Sequence, residues 1–320
     1  MNKPCIESGL IRFYPFQLNC ISLLLCALFF FPANSPANEV ETEVINTPGV
    51  TLVFEPHLRP AAEEAVKMYP DIKTSLEKLL RWEINFRPVI MMISNHHDFQ
   101  KMTGNELIVA FAASDQNLIV IDYTKMHTDP FTLEATMKHE LCHLLLHNYI
   151  KRENLPRYLD EGIAQWSSGG LADIITGKSN SVLDEAVLSD SCLGLRVLTA
   201  DFPGDKRHLI LAYEESKSFV EYIIREYHLE AVLLILEQLK GGQDMDHAVQ
   251  ASLSLSFGEL EKGWYTDIKN RITWLTFLLN NLYEILFFIS SLLLCLAYVK
   301  AVLKKRAYEK ETEDEGNMFH

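Results

Sequence analysis

The sequence predicts an α+β fold, in which a small, mainly antiparallel sheet lobe packs on a helical lobe and one transmembrane helix follows. Three observations lead to this prediction. Short apolar runs bounded by Pro, Asn and Gly, which are typical of strands, fill the first part of the chain. Helical periodicity dominates from there to residue 272, and strands followed by helices are the order of α+β proteins. Beyond residue 272 lies a long apolar stretch that is almost free of charge.

Four strands and one helix are predicted in the amino-terminal part. The strands are the apolar runs Val50–Phe54, Val89–Ile93, Leu107–Ala112 and Asn117–Asp122. Apolar residues recur at helical spacing between the first two strands, so Pro60–Leu80 is predicted to be a helix. We expect a cleft between this sheet and the helices that follow it.

The remaining elements are predicted to be helices. Their ranges are Leu133–Asn148, Tyr158–Ser167, Leu209–Tyr227, Leu229–Lys240 and Gly258–Ile272. The segment Ser167–Pro203 contains Gly and Ser and has no clear period, so it is expected to form surface structure near the cleft.

The most informative motif is the pentapeptide HELCH within the helix predicted over Leu133–Asn148. Residues four apart share one face of a helix, so His139 and His143 can bind one zinc ion while Glu140 projects beside it. A catalytic zinc takes three protein ligands and leaves a fourth position for water, and Glu161 on the next helix is the candidate third ligand. Zinc would lower the pKa of that water, and Glu140 would accept its proton.

This part of the chain resembles the gluzincins of the peptidase MA clan. The motif is followed by LPRYLDEGIAQW (Leu155–Trp166), which is similar to the WLNEGFA segment that carries the third ligand in the aminopeptidase N family. The resemblance is closest to bacterial peptidase MA-like domains and spans roughly Val50–Ile272. It implies a zinc metallopeptidase acting on peptides or proteins, with Glu140 as general base. A metzincin is excluded, because its third histidine would fall at Tyr149 and its glycine at Leu146.

A second resemblance concerns the transition-state tyrosine of aminopeptidase N relatives. LAYEESKSFVEYI (Leu211–Ile223) is similar to the helix that carries it, which implies that Tyr213 donates a hydrogen bond to the oxyanion. The alternative is a packing role for Tyr213 on an amphipathic helix. His208 is a weaker candidate for the same catalytic role.

Other polar residues near the motif are not expected to bind metal. Gln165 lies one turn after Glu161 and either hydrogen-bonds a ligand histidine or, more commonly for such a residue, faces solvent. His96, His97 and His147 lack a partner at ligand spacing and are therefore predicted to be surface residues.

The resemblance also bears on the type of peptidase. The Gly-x-Met-Glu-Asn strand with which aminopeptidases hold a free amino terminus is absent from Gly104–Tyr123. Asn117–Asp122 is instead expected to be an edge strand to which an extended peptide can pair, which favours an endopeptidase.

The alternative to an enzyme is a catalytically inactive peptidase-fold protein that binds or scaffolds at the membrane. Intact ligands and an intact Glu140 argue against that alternative.

Two apolar segments bracket the catalytic region. Residues 1–37 are predicted to be a cleaved signal peptide, because the apolar run Ile21–Phe31 is too short to cross a bilayer core of about 30 Å and small residues follow it. We expect residues 38–272 to form the peptidase domain, residues 274–303 the transmembrane helix region, and residues 304–320 a polar cytoplasmic tail.

The charge distribution sets the expected orientation. Lys300, Lys304, Lys305 and Arg306 lie at the end of the apolar helix, and a basic flank of this kind marks the cytoplasmic side. The protein is therefore predicted to be a single-pass protein of the bacterial inner membrane. Its catalytic domain would lie in the periplasm or outside the cell, and its carboxyl terminus in the cytoplasm.

Net charge and cysteine content bear on partners and redox state. The net charge is −14, and no basic stripe accompanies the aromatic residues, so nucleic acid is not expected as a partner. Of six cysteines, only Cys142 and Cys192 lie in the predicted soluble domain. Either they form one disulfide in an oxidising compartment, or Cys142 stays reduced and buried behind the zinc-binding helix.

Overall fold

Five short strands form one mixed sheet. The computed structural model describes residues 41–126, 131–169, 182–272 and 274–317. Its strands are β1 (Glu43–Asn46), β2 (Thr51–Phe54), β3 (Val89–Ile93), β4 (Ala110–Ala113) and β5 (Leu118–Asp122). They lie in the order β1-β2-β3-β5-β4. The two outer pairings are antiparallel and the two inner pairings are parallel.

The α+β class is confirmed, but the centre of the sheet differs from the mainly antiparallel prediction. A helix of 22 residues, α1 (Arg59–Leu80), connects β2 to β3, and such a crossover returns the chain in the same direction. The hairpin of β4 and β5 places β5 beside β3 and leaves β4 at the edge. The prediction that Asn117–Asp122 forms an edge strand is therefore wrong, and Ala110–Ala113 takes that position.

The helices follow the predicted order, with additional short ones between them. They are α2 (His96–Thr103), α3 (Leu133–Tyr149), α4 (Arg157–Ser167), α5 (Val182–Leu188), α6 (Lys206–Lys240), α7 (Met245–Leu253) and α8 (Phe257–Arg271). Non-helical backbone interrupts α6 at His228, whose φ is 66°, and this is the predicted boundary between two helices. The elements β1, α2, α5 and α7 are not among those that the sequence predicted.

One hydrophobic core joins the sheet to the helices. Alternate residues of the inner strands are buried on the same face, as the two-residue period of a strand requires. They are Leu52, Phe54, Ile90, Met92, Ile119 and Ile121. On this face α1 packs on β2 while α3 packs on β4 and β5, so the helix with the HELCH motif lies next to the edge strand. The opposite face carries a smaller cluster around Phe99 of α2.

The last two helices follow α8 directly in sequence. They are α9 (Trp274–Asn280) and α10 (Leu282–Asn317). Within α10, Leu282–Lys305 is a candidate membrane span of 24 residues with a mean hydropathy of 2.3, and it is not buried against the rest of the protein. About 20 apolar residues cross a bilayer core, so this segment is long enough to do so. The predicted signal peptide, residues 1–37, lies outside the described residues.

Candidate metal centre

The helix α3 carries both histidines of the HELCH motif and is buried on most sides. It begins after Thr132, whose side chain accepts a hydrogen bond from the Ala135 backbone N–H. Its buried apolar residues include Met137, Leu141, Leu144, Leu145 and Leu146. Such a helix keeps its polar side chains from bulk water. His139 and Glu140, each only 6% exposed, therefore need partners inside the protein.

The helix α4 begins at Arg157 and brings Glu161 to α3. The backbone N–H groups of Arg157 and Tyr158 donate to the carbonyl oxygens of Thr199 and Leu198. These bonds satisfy two of the donors that the first turn of a helix leaves free. Glu161 lies one turn further along and is buried.

Gly162 allows α4 to lie against α6. A Cβ atom at this position would be 2.4 Å from the Ser216 carbonyl oxygen and 2.8 Å from Val220 Cγ2. Protein interiors have no space for such an overlap, so only glycine fits without moving a backbone. This contact fixes the position of the Glu161 backbone relative to α6.

Three potential ligand atoms converge between α3 and α4. His139 Nε2 lies 3.1 Å from His143 Nε2, and Glu161 Oε2 lies 3.7 Å from His139 Nε2 and 3.5 Å from His143 Nε2. In a tetrahedral zinc site with bonds of about 2.0–2.1 Å, neighbouring ligand atoms are about 3.3 Å apart. The observed distances bracket this value. The buried Glu161 Oε2 has no hydrogen-bond partner among the described residues, and a metal ion would supply one.

The two neighbouring acids of α4 keep their charge despite burial. Burial raises the pKa of Glu161, but the neighbouring His143 and His139 outweigh this effect and hold its pKa at about 2. Burial also raises the pKa of Asp160, and His143 and His147 hold that pKa well below its usual value. Both groups are therefore ionised at neutral pH, the form in which a carboxylate binds a metal ion.

Asp160 connects a ligand histidine to a third histidine on α3. Its Oδ1 lies 2.8 Å from His143 Nδ1, and its Oδ2 lies 2.9 Å from His147 Nε2. The prediction that His147 is a surface residue without a partner is therefore wrong. Two sequence signals point to this arrangement: His147 follows His143 by one helical turn, and an aspartate stands where WLNEGFA has asparagine.

A cavity of about 1050 Å³ borders the three ligand atoms. Its lining includes residues 107–116 around β4, one face of α3, the first half of α4 and the start of α6. Glu140 lines this cavity beside the two histidines, and its burial raises its pKa. The edge of the sheet, the ligand atoms and Glu140 thus border the same space.

Comparison with protein families identifies this arrangement. The family model described as Peptidase MA superfamily matches residues 88–270, more than half of the chain. The chain belongs to the peptidase MA superfamily. The matched range contains β4, both helices of the candidate metal centre and the helix of Tyr213, and the resemblance to gluzincins is confirmed.

Three solved structures are similar to this chain over part of their length. Aminopeptidase A from Legionella pneumophila, solved with aspartic acid, is 12% identical with a TM-score of 0.43, and the match covers 71% of this chain and 28% of that one. Native yeast LTA4 hydrolase is 12% identical with a TM-score of 0.45, with 71% and 38% covered. A mutant M1 zinc metallopeptidase from Deinococcus radiodurans is 10% identical with a TM-score of 0.42, with 70% and 52% covered. The superfamily member described here therefore spans about half or less of these proteins. A search of curated proteins finds no match.

The resemblance to aminopeptidase N relatives predicts a catalytic role for Tyr213, and this residue lines the cavity. Its ring packs edge-on against Phe202 at a centroid distance of 5.3 Å. Burial raises its pKa, and the nearby Glu161 raises it further, so the phenol keeps its proton and can donate a hydrogen bond. His208 instead lies on the exposed first turn of α6, where its Nδ1 is 2.9 Å from a carboxylate oxygen of Asp205. It does not line the cavity.

Two other polar side chains are less exposed to solvent than the surface positions predicted for them would require. Gln165 is only 3% exposed and lines the cavity, so the solvent-facing alternative is wrong. His96 is half-buried and hydrogen-bonds the fully buried Asp122 at the end of β5. His97, by contrast, is exposed as predicted.

The two cysteines of the superfamily domain are both free. Cys142 is buried in α3 and its burial raises the pKa of its thiol to about 11. Cys192 is half-buried, and burial together with the nearby Glu215 raises its pKa to about 12. The structure thus has the reduced, buried Cys142 and not the disulfide.

Proposed function

We propose that the protein is a membrane-anchored zinc metallopeptidase that cleaves peptide bonds within extracytoplasmic proteins or peptides. The observation that carries this proposal is the convergence of His139 Nε2, His143 Nε2 and Glu161 Oε2, at separations of 3.1 to 3.7 Å, beside a large cavity. Two imidazoles and one carboxylate are a donor set of catalytic zinc sites. Membership of the peptidase MA superfamily supports the same reaction.

The ligands, Glu140 and Tyr213 have different roles in the proposed reaction. A zinc ion held by the three ligands would supply a Lewis acid for a water molecule and for the substrate carbonyl. Glu140 accepts the proton of the attacking water and then delivers it to the leaving amine. Tyr213 donates a hydrogen bond to the carbonyl oxygen as that atom gains negative charge.

The edge strand β4 supports cleavage within a peptide rather than at its end. Among the residues that the structure describes, its one neighbour in the sheet is β5, so its other side can pair with an extended peptide by strand addition. Residues 107–116 line the cavity, so a peptide bound there would pass the ligand atoms. Main-chain pairing requires no free terminus, and we therefore propose an endopeptidase.

The carboxyl-terminal helix supports a position at the membrane. Ten residues separate Arg271, the end of α8, from Leu282, the start of the apolar segment, so the peptidase domain would stay close to the bilayer. The basic residues at the far end of the helix favour a cytoplasmic carboxyl terminus and an extracytoplasmic catalytic domain. Reporter fusions before Trp274 and after Arg306 test this topology. Two fusions that report the same compartment would contradict it.

The test of the enzymatic proposal is a Glu140→Gln variant of the full chain in detergent, assayed on an unbiased peptide library after zinc loading. Glutamine has nearly the same shape and the residue is not a ligand, so zinc content and fold should be retained. Turnover should fall by about 10²–10⁴-fold, the contribution of a general base. Glu134→Gln, on the exposed first turn of the same helix, is the matched control and should cleave at the wild-type rate.

The second candidate is the inactive binding or scaffold protein that the sequence leaves open. It gains support if the wild type binds zinc with the expected ligands yet cleaves no member of the library. A Glu140→Gln variant that cleaves as fast as the wild type would reject the proposed mechanism while leaving the metal centre intact.

A further inference from the structure

The helix α3 carries a third imidazole beyond the two proposed ligands. His147 lies one turn after His143, and its side chain is only 17% exposed. Its Nε2 lies 2.9 Å from Asp160 Oδ2, while Asp160 Oδ1 lies 2.8 Å from Nδ1 of the ligand His143. We propose that His147 is a positioning residue for the metal ion, which acts through Asp160 on His143. This inference rests on the proposed zinc site and adds the residues that hold one of its ligands in place.

The direction of the hydrogen bonds follows from the metal. His143 Nε2 faces the other two ligand atoms, so its lone pair is used there and its proton resides on Nδ1. That Nδ1–H donates to Asp160 Oδ1, which fixes both the tautomer and the ring orientation of the ligand. His147 donates from Nε2 to the second oxygen of the same carboxylate.

Only a carboxylate can hold two donating imidazoles in this way. The similar segment WLNEGFA has asparagine before its ligand glutamate, and an amide offers one acceptor oxygen and one donor group. This chain has Asp160 at that position and also has His147 to occupy the second oxygen. The two residues therefore form one unit, in which the aspartate binds the ligand and the histidine binds the aspartate.

The histidine ligands receive unequal support from the protein. His143 has its outer nitrogen held by Asp160, whereas the outer nitrogen of His139 is buried without a hydrogen-bond partner among the described residues. Asp160 therefore orients the ring of His143, while no such hydrogen bond orients the ring of His139 among the described residues. Without His147, Asp160 Oδ2 would lose its partner in a site where Asp160 is only 9% exposed. A buried carboxylate that loses a hydrogen bond can turn away from His143.

The experiment measures zinc affinity directly, by competition with a chelator, on the full chain in detergent. His147→Leu removes the donor while filling the space, and His147→Gln restores an N–H at the position of Nε2. We expect about a tenfold loss of zinc affinity for His147→Leu and about 10–100-fold for Asp160→Asn, the range for partners of metal ligands. His147→Gln should remain within about threefold of the wild type. Cobalt absorption spectra of the same proteins should shift for His147→Leu and not for His147→Gln.

A double variant and a matched control separate positioning from general destabilisation. If His147 acts through Asp160, His147→Leu combined with Asp160→Asn should bind zinc no more weakly than Asp160→Asn alone, because coupled residues are not additive. The control is His247→Ala, which removes a surface contact of 2.8 Å between His247 Nδ1 and Asp244 outside the cavity and should not change zinc affinity.

Three results would overturn the inference: a His147→Leu protein with wild-type zinc affinity, no rescue by glutamine, or additive losses in the double variant. If His147→Leu does not fold, the zinc affinities of His147→Gln and Asp160→Asn are compared instead. Equal losses of zinc affinity in these two variants would also reject the inference. A wild type without zinc affinity would overturn the proposed metal centre together with this inference. Normal zinc binding by all His147 variants would reject this inference alone.

Discussion

The protein buries carboxylates in two regions and gives them different partners. In the metal centre, Asp160 and Glu161 face imidazoles, which hold their pKa values low. In the second region, carboxylates accept hydrogen bonds from backbone N–H groups at the start of α5 and in the chain between α5 and α6. Glu214 binds Leu183 N, Glu215 binds Leu193 N and Gly194 N, and Glu261 binds Leu195 N. We call these three glutamates the carboxylate clamp.

The difference shows that burial alone does not decide the charge of an acid. Burial raises the pKa of Glu215 to about 7, although two backbone N–H groups lower it in part. Burial acts in the same direction on Glu161, yet its pKa is held at about 2 because imidazoles lie beside it. In the metal centre, neighbouring imidazoles keep the carboxylate ionised, whereas the acid that holds a backbone segment keeps its proton for part of the pH range.

Removal of one glutamate from each region should produce the largest difference between the two regions. Glu161→Gln should reduce zinc affinity by more than about 100-fold, because even the partners of ligands contribute about 10–100-fold. Turnover should fall with the lost metal. Glu215→Gln, an equally conservative change at a buried acid, should leave zinc affinity unchanged. Zinc titrations of both variants check this, and similar losses in the two would mean that the regions are not separate.

Tyr213 and Glu215 lie two residues apart on α6 and face different regions, so substitutions at the two positions should have different effects on turnover. Tyr213→Phe should lower turnover by about 10²–10³-fold, the size of one lost oxyanion donor, without changing zinc content. Tyr222→Phe is the control, since Tyr222 is a buried tyrosine of the same helix that does not line the cavity. Steady-state kinetics on a library-derived peptide measure both. Equal rates for wild type and Tyr213→Phe would assign Tyr213 a packing role only.

The clamp should also make stability depend on pH. The folded state keeps a proton on Glu215 up to pH about 7, whereas the unfolded chain releases it near the ordinary value of 4.5. Folding stability is therefore lost as pH rises from about 4.5 to about 7, by up to about 3 kcal/mol. Thermal unfolding of wild type and Glu215→Gln at several pH values measures this, and the difference between them should follow that window. If the stabilities of wild type and Glu215→Gln changed with pH in parallel, the pKa of Glu215 would not be raised in the folded protein.

Gly162 and Ser216 join the two regions, since each is next in sequence to a glutamate of one of them. Gly162→Ala would place a methyl group 2.4 Å from the Ser216 carbonyl oxygen, so α4 and α6 must separate. We expect a loss of about 1–3 kcal/mol in the free energy of unfolding, the usual cost of overpacking. Gly258→Ala is the control, because its added methyl group would meet nothing within 4 Å. Unchanged thermal stability of Gly162→Ala would show that this contact is loose.

The sequence was sufficient to predict the local parts of this arrangement. The HELCH spacing depends only on helix geometry, and the structure brings His139, His143 and Glu161 together as predicted. The interruption at His228 and the four predicted strands also follow from local patterns of apolar residues. The elements β1, α2, α5 and α7 are only four to nine residues long, so the periodicity of their apolar residues is too weak to detect.

Features that depend on how elements pack could not be predicted in this way. Whether β4 or β5 lies at the edge depends on which strand of their hairpin pairs with β3, and the strand sequences do not contain that information. His147 and Asp160 are thirteen positions apart on different helices. Their contact requires the close approach of α3 and α4, so His147 looks like a surface residue when α3 is considered alone.

The carboxylate clamp also determines how the cavity wall moves. Leu193, Gly194 and Leu195 lie outside any helix or strand, and amide hydrogens of such segments normally exchange rapidly with solvent. Here their N–H groups are bonded to glutamates of α6 and α8, so exchange requires the segment to detach from both helices. The same segment continues to Thr199 and Ala200, which line the cavity. We therefore expect slow exchange at these three amides, and we expect this irregular part of the cavity wall to keep its shape while α6 and α8 stay packed.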